Sequence, residues 1–130
     1  MSSERTLRLG DLQLRIMKIL WSGGPATVAE VQEQLGGEPL AYTTVATMLR
    51  KMEERQLVRH RLRRRRFLYE ATVPADEVTR SMATDLVDRL FEGSLAAAVS
   101  HLLETREVSR GELARLEKLI EQHKRQRIVS

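Results

Sequence analysis

Hydroxyl and guanidinium groups are the chemistry this chain offers most densely. Thr43, Thr44 and Thr47 lie within five residues of one another, Arg50 and Lys51 follow, and six of the eight residues in Arg59–Arg66 are arginine. Between residues 50 and 66 nine basic residues stand against two acidic ones, a local excess of +7 in a chain whose total is +4. An excess so confined reads as a footprint for a polyanion, with a merely solvated charged face as the plainer alternative. Threonine hydroxyls can bond phosphates or base edges, and the threonine methyl can touch a thymine methyl. The chemistry implied is the grip and reading of double-stranded DNA.

Other chemistry finds little to stand on. There is no cysteine, which excludes disulfides, thiolate metal ligands and thiol redox sensing and suits a reducing compartment. His60, His101 and His123 fall in different elements, and none forms the i, i+4 pair of a helical metal site. No nucleophile motif, phosphate-cradling glycine loop or paired-carboxylate constellation is present. Asp85 and Asp88 share a helix and read as a solvated face. The chain is therefore expected not to be an enzyme and to use no metal or cofactor.

The residues that could touch DNA must be positioned by the elements around them. Leu12, Ile16, Ile19 and Leu20 predict an amphipathic helix over 10–21, ended by Ser22-Gly23-Gly24-Pro25. Thr27-Val28-Ala29-Glu30 has the form of a capping box. It opens a second helix with Val28, Val31 and Leu35 inward, closed by Gly36-Gly37. A third helix spans Tyr42–Arg55, with Val45, Met48, Leu49 and Met52 as its buried stripe. Thr43, Thr44, Thr47, Arg50 and Lys51 fall opposite that stripe, and Tyr42 opens the same helix. Threonine is a mediocre helix former, so three on one exposed face call for a reason other than helix stability. Capping by Thr43 or Thr44 is the simpler alternative.

After this helix the period becomes two. Val58, His60 and Leu62 alternate with arginines, and Phe67, Tyr69 and Ala71 alternate with Leu68 and Glu70, which predicts a β-hairpin with its tip among Arg63, Arg64, Arg65 and Arg66. Three helices and a hairpin in this order make a winged helix-turn-helix, whose third helix enters the major groove while the hairpin follows the backbone. His60 is placed where it can approach a phosphate. The fold class is mainly α with one small β-hairpin, divided into a DNA-binding domain over 1–72 and a helical region over 73–130.

Three striped helices are expected in that second region. Ala75–Glu92 turns Val78, Met82, Leu86 and Leu90/Phe91 inward. Gly93 breaks it, and Ser94 caps a short helix carrying Leu95, Val99, Leu102 and Leu103. Ser109-Arg110-Gly111-Glu112 opens a last helix with Leu113, Leu116, Leu119 and Ile120, after which Gln122–Ser130 reads as a frayed tail. With aromatics at 4% these helices have little to fill a core of their own, and they fit the arm of a homodimer. Packing back on the first domain is the alternative. The longest apolar stretches are too short to span a bilayer, and the polar N-terminus does not resemble a secretory signal. A cytoplasmic protein with no membrane insertion is expected.

The segments LGDLQLRIMKILW, ATVAEVQEQL, AYTTVATMLRKMEERQLV and RRRRFLYEA closely resemble the penicillinase repressor and methicillin-resistance repressor family of bacterial winged-helix regulators. The resemblance runs from about Leu9 to Lys118. It implies a homodimer that binds an inverted-repeat operator and represses transcription, often of β-lactam resistance or related stress genes. It also implies base contacts from Thr43, Thr44 and Thr47 and backbone contacts from Arg50, Lys51 and the wing arginines. The last three helices would then be the dimerisation arm, with Leu86, Leu90, Phe91, Leu95, Val99, Leu102, Leu103, Leu113, Leu116 and Ile120 as its contacts.

Three departures stand out. Members governed by a membrane-bound sensor protease are cleaved at an Asn-Phe pair in the arm, and the matching positions here are His101-Leu102. The cysteine-rich metal site of copper-responsive relatives has no counterpart. Many relatives have a glycine in the wing turn, where this chain has only arginines, so a wider or more mobile tip that gains its order from phosphate contacts is expected. A winged helix used as a protein-interaction module, and a regulator whose helical arm encloses a small molecule, remain as alternatives.

Overall fold

In a computed structural model that describes residues 7–129, six helices and one hairpin follow in the order α1 (Asp11–Gly23), α2 (Val28–Gln34), α3 (Tyr42–Glu54), β1 (Val58–Arg63), β2 (Arg66–Ala71), α4 (Ala75–Phe91), α5 (Leu95–Thr105) and α6 (Arg110–Val129). Of the N-terminal stretch read above as polar, residues 1–6 lie outside the described residues, as does Ser130. One compact unit extends to Asp85 and a second begins at Leu86.

The first unit is built on the stripes expected from the sequence. Ile16, Met17, Val31, Val45, Leu49, Met52, Leu57, Val58 and Val78 are all buried. Tyr69 is the one aromatic that enters this buried set, so aliphatic and methionine side chains fill the core. Polar groups tie the elements around it. Thr27 and Glu30 form the capping box of α2, each bonding the other's backbone N–H. The Arg15 guanidinium donates to the Leu35 carbonyl at 2.6 Å, satisfying an orphan carbonyl at the end of α2. Trp21 Nε1 donates to the Val73 carbonyl at 2.8 Å and holds the chain where it leaves the hairpin.

The hairpin is antiparallel in the register Val58↔Ala71, His60↔Tyr69, Leu62↔Phe67 and Arg63↔Arg66. One feature had no sequence signal. Ala26, in the loop before α2, exchanges two backbone hydrogen bonds with Tyr69, at 2.9 and 2.8 Å. A one-residue third strand thus grips β2 on the side away from β1.

The expected wide wing tip is not found. Arg63 pairs with Arg66, which leaves only Arg64 and Arg65 to turn the chain, both left-handed with φ of +51° and +68°. Two positive φ values in a two-residue loop match the type I′ turn, whose twist agrees with that of the flanking strands. The observed strand pairing overrides the turn preference of the residues that sit there.

A third left-handed residue lies where α3 meets the wing. Gln56 has φ of +64°, and the Leu57 N–H reaches back to the Met52 carbonyl at 2.9 Å. This is the usual place for a helix-ending glycine. Gln56→Gly is therefore expected to raise stability by about 0.5–1 kcal/mol, measurable as an increase in denaturation midpoint. A decrease would show that the Gln56 side chain contributes more than its backbone conformation costs.

In the second unit, Ser94 Oγ accepts from the Ala97 N–H at 3.0 Å and caps α5, while Glu92 and Gly93 break the chain with φ of +50° and +83°. Ser109 Oγ accepts from the Glu112 N–H at 3.1 Å and caps α6. The expected frayed tail is instead helical to Val129. Beyond Gly111 the residues of α6 include no glycine or proline, and most are strong helix formers, with Lys124 paired to Glu121 on the exposed face. Apolar positions of this unit are largely uncovered in a single chain. Leu86, Leu90, Leu95, Leu102, Leu103, Leu113, Leu119 and Ile120 are exposed, and Phe91, Val99 and Leu116 are half-buried. No described helix is long and apolar enough to cross a membrane.

Candidate nucleic-acid interface

The α3 helix begins without a cap. Its N-cap is Ala41, no side chain bonds the first-turn N–H groups, and no acidic residue lies in the first turn. Thr43 and Thr44 therefore do not cap the helix, which removes the simpler explanation for them. Both are exposed, and Thr47, one turn on, is half-buried. Tyr42, Arg50 and Lys51 are exposed on the same helix, while Val45, Leu49 and Met52 are buried. A helix start without a side-chain cap, exposed hydroxyls and two cations are what a phosphate backbone and base edges would meet.

The arginine run divides into two parts. Arg59 donates to Glu70 at 2.6 Å and Arg61 lies 3.9 Å from the same carboxylate. These two are partly neutralised by the cross-strand acid. Arg63, Arg64, Arg65 and Arg66 are exposed and have no ion pair with any described residue. The charge available to a ligand is thus concentrated at the tip. Sequence charge counting missed this division because Glu70 is eleven residues from Arg59 along the chain and opposite it only in the paired register.

His60 is engaged by α3 within the chain. Its Nδ1 lies 2.7 and 2.9 Å from the two carboxylate oxygens of Glu53, and its backbone N–H donates to the same carboxylate at 3.3 Å. The ring is flanked by Phe67 and Tyr69, with centroids at 4.8 and 5.4 Å. Glu53 sits in the last turn of α3, so this contact joins helix to wing. Burial, and secondarily the nearby Glu53 charge, raise the pKa of Tyr69 above its ordinary value, with Arg50 opposing and Tyr42 adding to the rise. Tyr69 thus lies within electrostatic reach of three residues of α3. None of Glu53, Tyr69 and Glu70 stood out in the sequence as part of the site.

The expected dimer contacts lie in the second unit. His101 and Leu102 are exposed within α5, where the Thr105 hydroxyl donates to the His101 carbonyl at 3.0 Å. A protease would have to unwind that helix to reach the peptide bond between them.

The sequence profile of the penicillinase repressor family matches residues 9–122. The penicillinase repressor of Bacillus licheniformis is 24% identical over 118 residues, covering 90% of this chain and 92% of its own length. Transcriptional regulator BlaI of Mycobacterium tuberculosis (strain CDC 1551 / Oshkosh) is 36% identical over 100 residues, covering 75% and 72% respectively. Among solved structures, a MarR/EmrR family regulator from Acinetobacter sp. ADP1 aligns with a TM-score of 0.47 at 20% identity, over 94% of this chain and 78% of that one. A Lactococcus lactis ZitR variant aligns with a TM-score of 0.48 at 16% identity, over 96% and 80%. The chain belongs to the penicillinase repressor family of DNA-binding transcriptional regulators.

Proposed function

We propose that this protein is a cytoplasmic homodimeric repressor that binds an inverted-repeat operator and blocks transcription of β-lactam resistance or related stress genes. The observation that carries the reading is an uncapped, acid-free helix start bearing Thr43, Thr44 and Thr47, paired with a wing tip whose four arginines have no acidic partner among the described residues. The threonine face reads base edges in the major groove. Tyr42, Arg50, Lys51 and Arg63–Arg66 hold phosphates and set the register. The uncovered leucines of α4, α5 and α6 pack against a second copy, and two-fold symmetry places the half-sites about one helical turn, or a multiple of it, apart. The names of the relatives support the pathway, and the residues His101-Leu102 favour relief of repression by something other than cleavage at an Asn-Phe pair by a membrane sensor protease.

Reading and grip are separable by mutation. Thr44→Ala or Thr47→Ala is expected to cost about 1–3 kcal/mol on the cognate operator if a base contact is lost, and much less on unrelated DNA. Titration of both duplexes at one salt concentration measures the difference. Equal losses on the two would assign the threonines to grip or folding and defeat the division of labour.

A further inference from the structure

An acid on a helix that faces DNA works against binding unless it does something else. Glu53 shares α3 with Arg50 and Lys51, and its side chain is 30% exposed. Simple electrostatics says that removing it should strengthen the hold on a polyanion. Its surroundings point the other way. Both carboxylate oxygens lie within hydrogen-bond reach of His60 Nδ1, and the His60 backbone N–H donates to one of them. A carboxylate only accepts, so Nδ1 carries the proton.

The hairpin needs such a tie. Only Arg55, Gln56 and Leu57 separate α3 from β1, with Gln56 in a left-handed conformation. The six-residue strands then carry the tip about 15–20 Å from their base. A swing of about 10° at the base would move the tip by about 3 Å, the difference between a hydrogen bond and none. The Ala26–Tyr69 bridge holds β2 from one side, and His60 is where β1 is held to the helix.

We propose that Glu53 and His60 form a latch that fixes the wing against the recognition helix, so that Glu53 is a positioning residue for DNA binding in spite of its charge. The inference rests on the DNA-binding reading above and adds to it the device that sets the wing angle.

The test uses the full chain and the duplex it enriches from a random-sequence pool, with Glu53→Ala, Glu53→Gln, His60→Leu and the Glu53→Ala/His60→Leu pair. Glu53→Ala and His60→Leu should each weaken binding about fivefold or more and lower the salt slope by about 0.9 for each wing arginine that leaves the backbone. The pair should be no weaker than the poorer single variant. Glu53→Gln keeps an acceptor for His60 and should bind at least as tightly as the natural chain. Tighter or unchanged binding by Glu53→Ala, an unchanged slope, or a Glu53→Gln as weak as Glu53→Ala would overturn the latch. If Glu53→Ala does not fold, His60→Asn, which keeps a donor near Nδ1, should retain the slope that His60→Leu loses, and equal slopes for these two would overturn it as well. Failure of the natural chain to enrich any duplex would instead refute the DNA-binding reading itself.

Discussion

The variant Arg64→Asn/Arg65→Gly is expected to melt at a higher temperature than the natural chain and to bind DNA more weakly. Both residues of the turn sit at positive φ, a region that costs an L-residue with a β-carbon about 1–2 kcal/mol and that Asn and Gly adopt far more readily. Relief of that strain should raise stability by about 1 kcal/mol or more, given the rest of the hairpin unchanged. The same change deletes two of the four arginines that have no acidic partner among the described residues. If each neutralises one phosphate, the slope of log K against log salt falls by about 1.8, and binding weakens about tenfold or more near physiological salt. Arg64→Lys/Arg65→Lys is the matched control, with charge kept and strain unrelieved, and it should keep the slope. A more stable variant that binds as tightly as the natural chain would show that the tip does not touch DNA. The strain would then have no functional explanation.

The second large effect lies in the helical unit. Leu90 is 70% exposed and Leu95 67% exposed in the single chain, and burying a leucine stabilises by about 1.5–3 kcal/mol. Six more large aliphatic side chains of α4–α6 are exposed, by 40% to 58%, and clustered exposed apolar residues mark interaction sites. Leu90→Glu places a charge in that surface without a partner. The variant is expected to behave as a monomer in sedimentation or light scattering at micromolar concentration, with an unaltered first unit. Loss of the second subunit removes simultaneous engagement of two half-sites, so affinity for a two-site operator should drop about 100-fold or more while affinity for a single half-site changes little. If the natural chain is itself monomeric at that concentration, or if Leu90→Glu remains dimeric and binds normally, the arm has been misassigned.

Much of this architecture was legible because its signals are local. The Thr27–Glu30 capping box, the Val45–Met52 stripe and the alternation on either side of the wing each occupy fewer than ten residues, and each appears where expected. The parts that were not legible depend on which residues face each other across strands or between elements. Ala26 joins the sheet through its backbone alone, so no side-chain pattern announces it. Glu70 neutralises Arg59 and approaches Arg61 only once the register is set. Glu53 and His60 are ordinary surface residues until the turn at Gln56 brings the wing back along α3. The tip reversed its expectation for a related reason. Turn propensity argued for a wide loop, but the pairing of Leu62 with Phe67 and His60 with Tyr69 leaves two residues to close it. In α6 the helix-forming composition beyond Gln122 outweighs the usual fraying of a terminal segment.

The central claim is that two copies of this chain read an inverted repeat, each through its threonine face. Selection from a random-sequence duplex pool, followed by mass measurement of the complex on the enriched site, tests it most directly. An inverted repeat should emerge with half-sites about one helical turn, or a multiple of it, apart, bound by two chains with strong salt dependence. Enrichment of no sequence, or of a single asymmetric site bound by one chain, would contradict it.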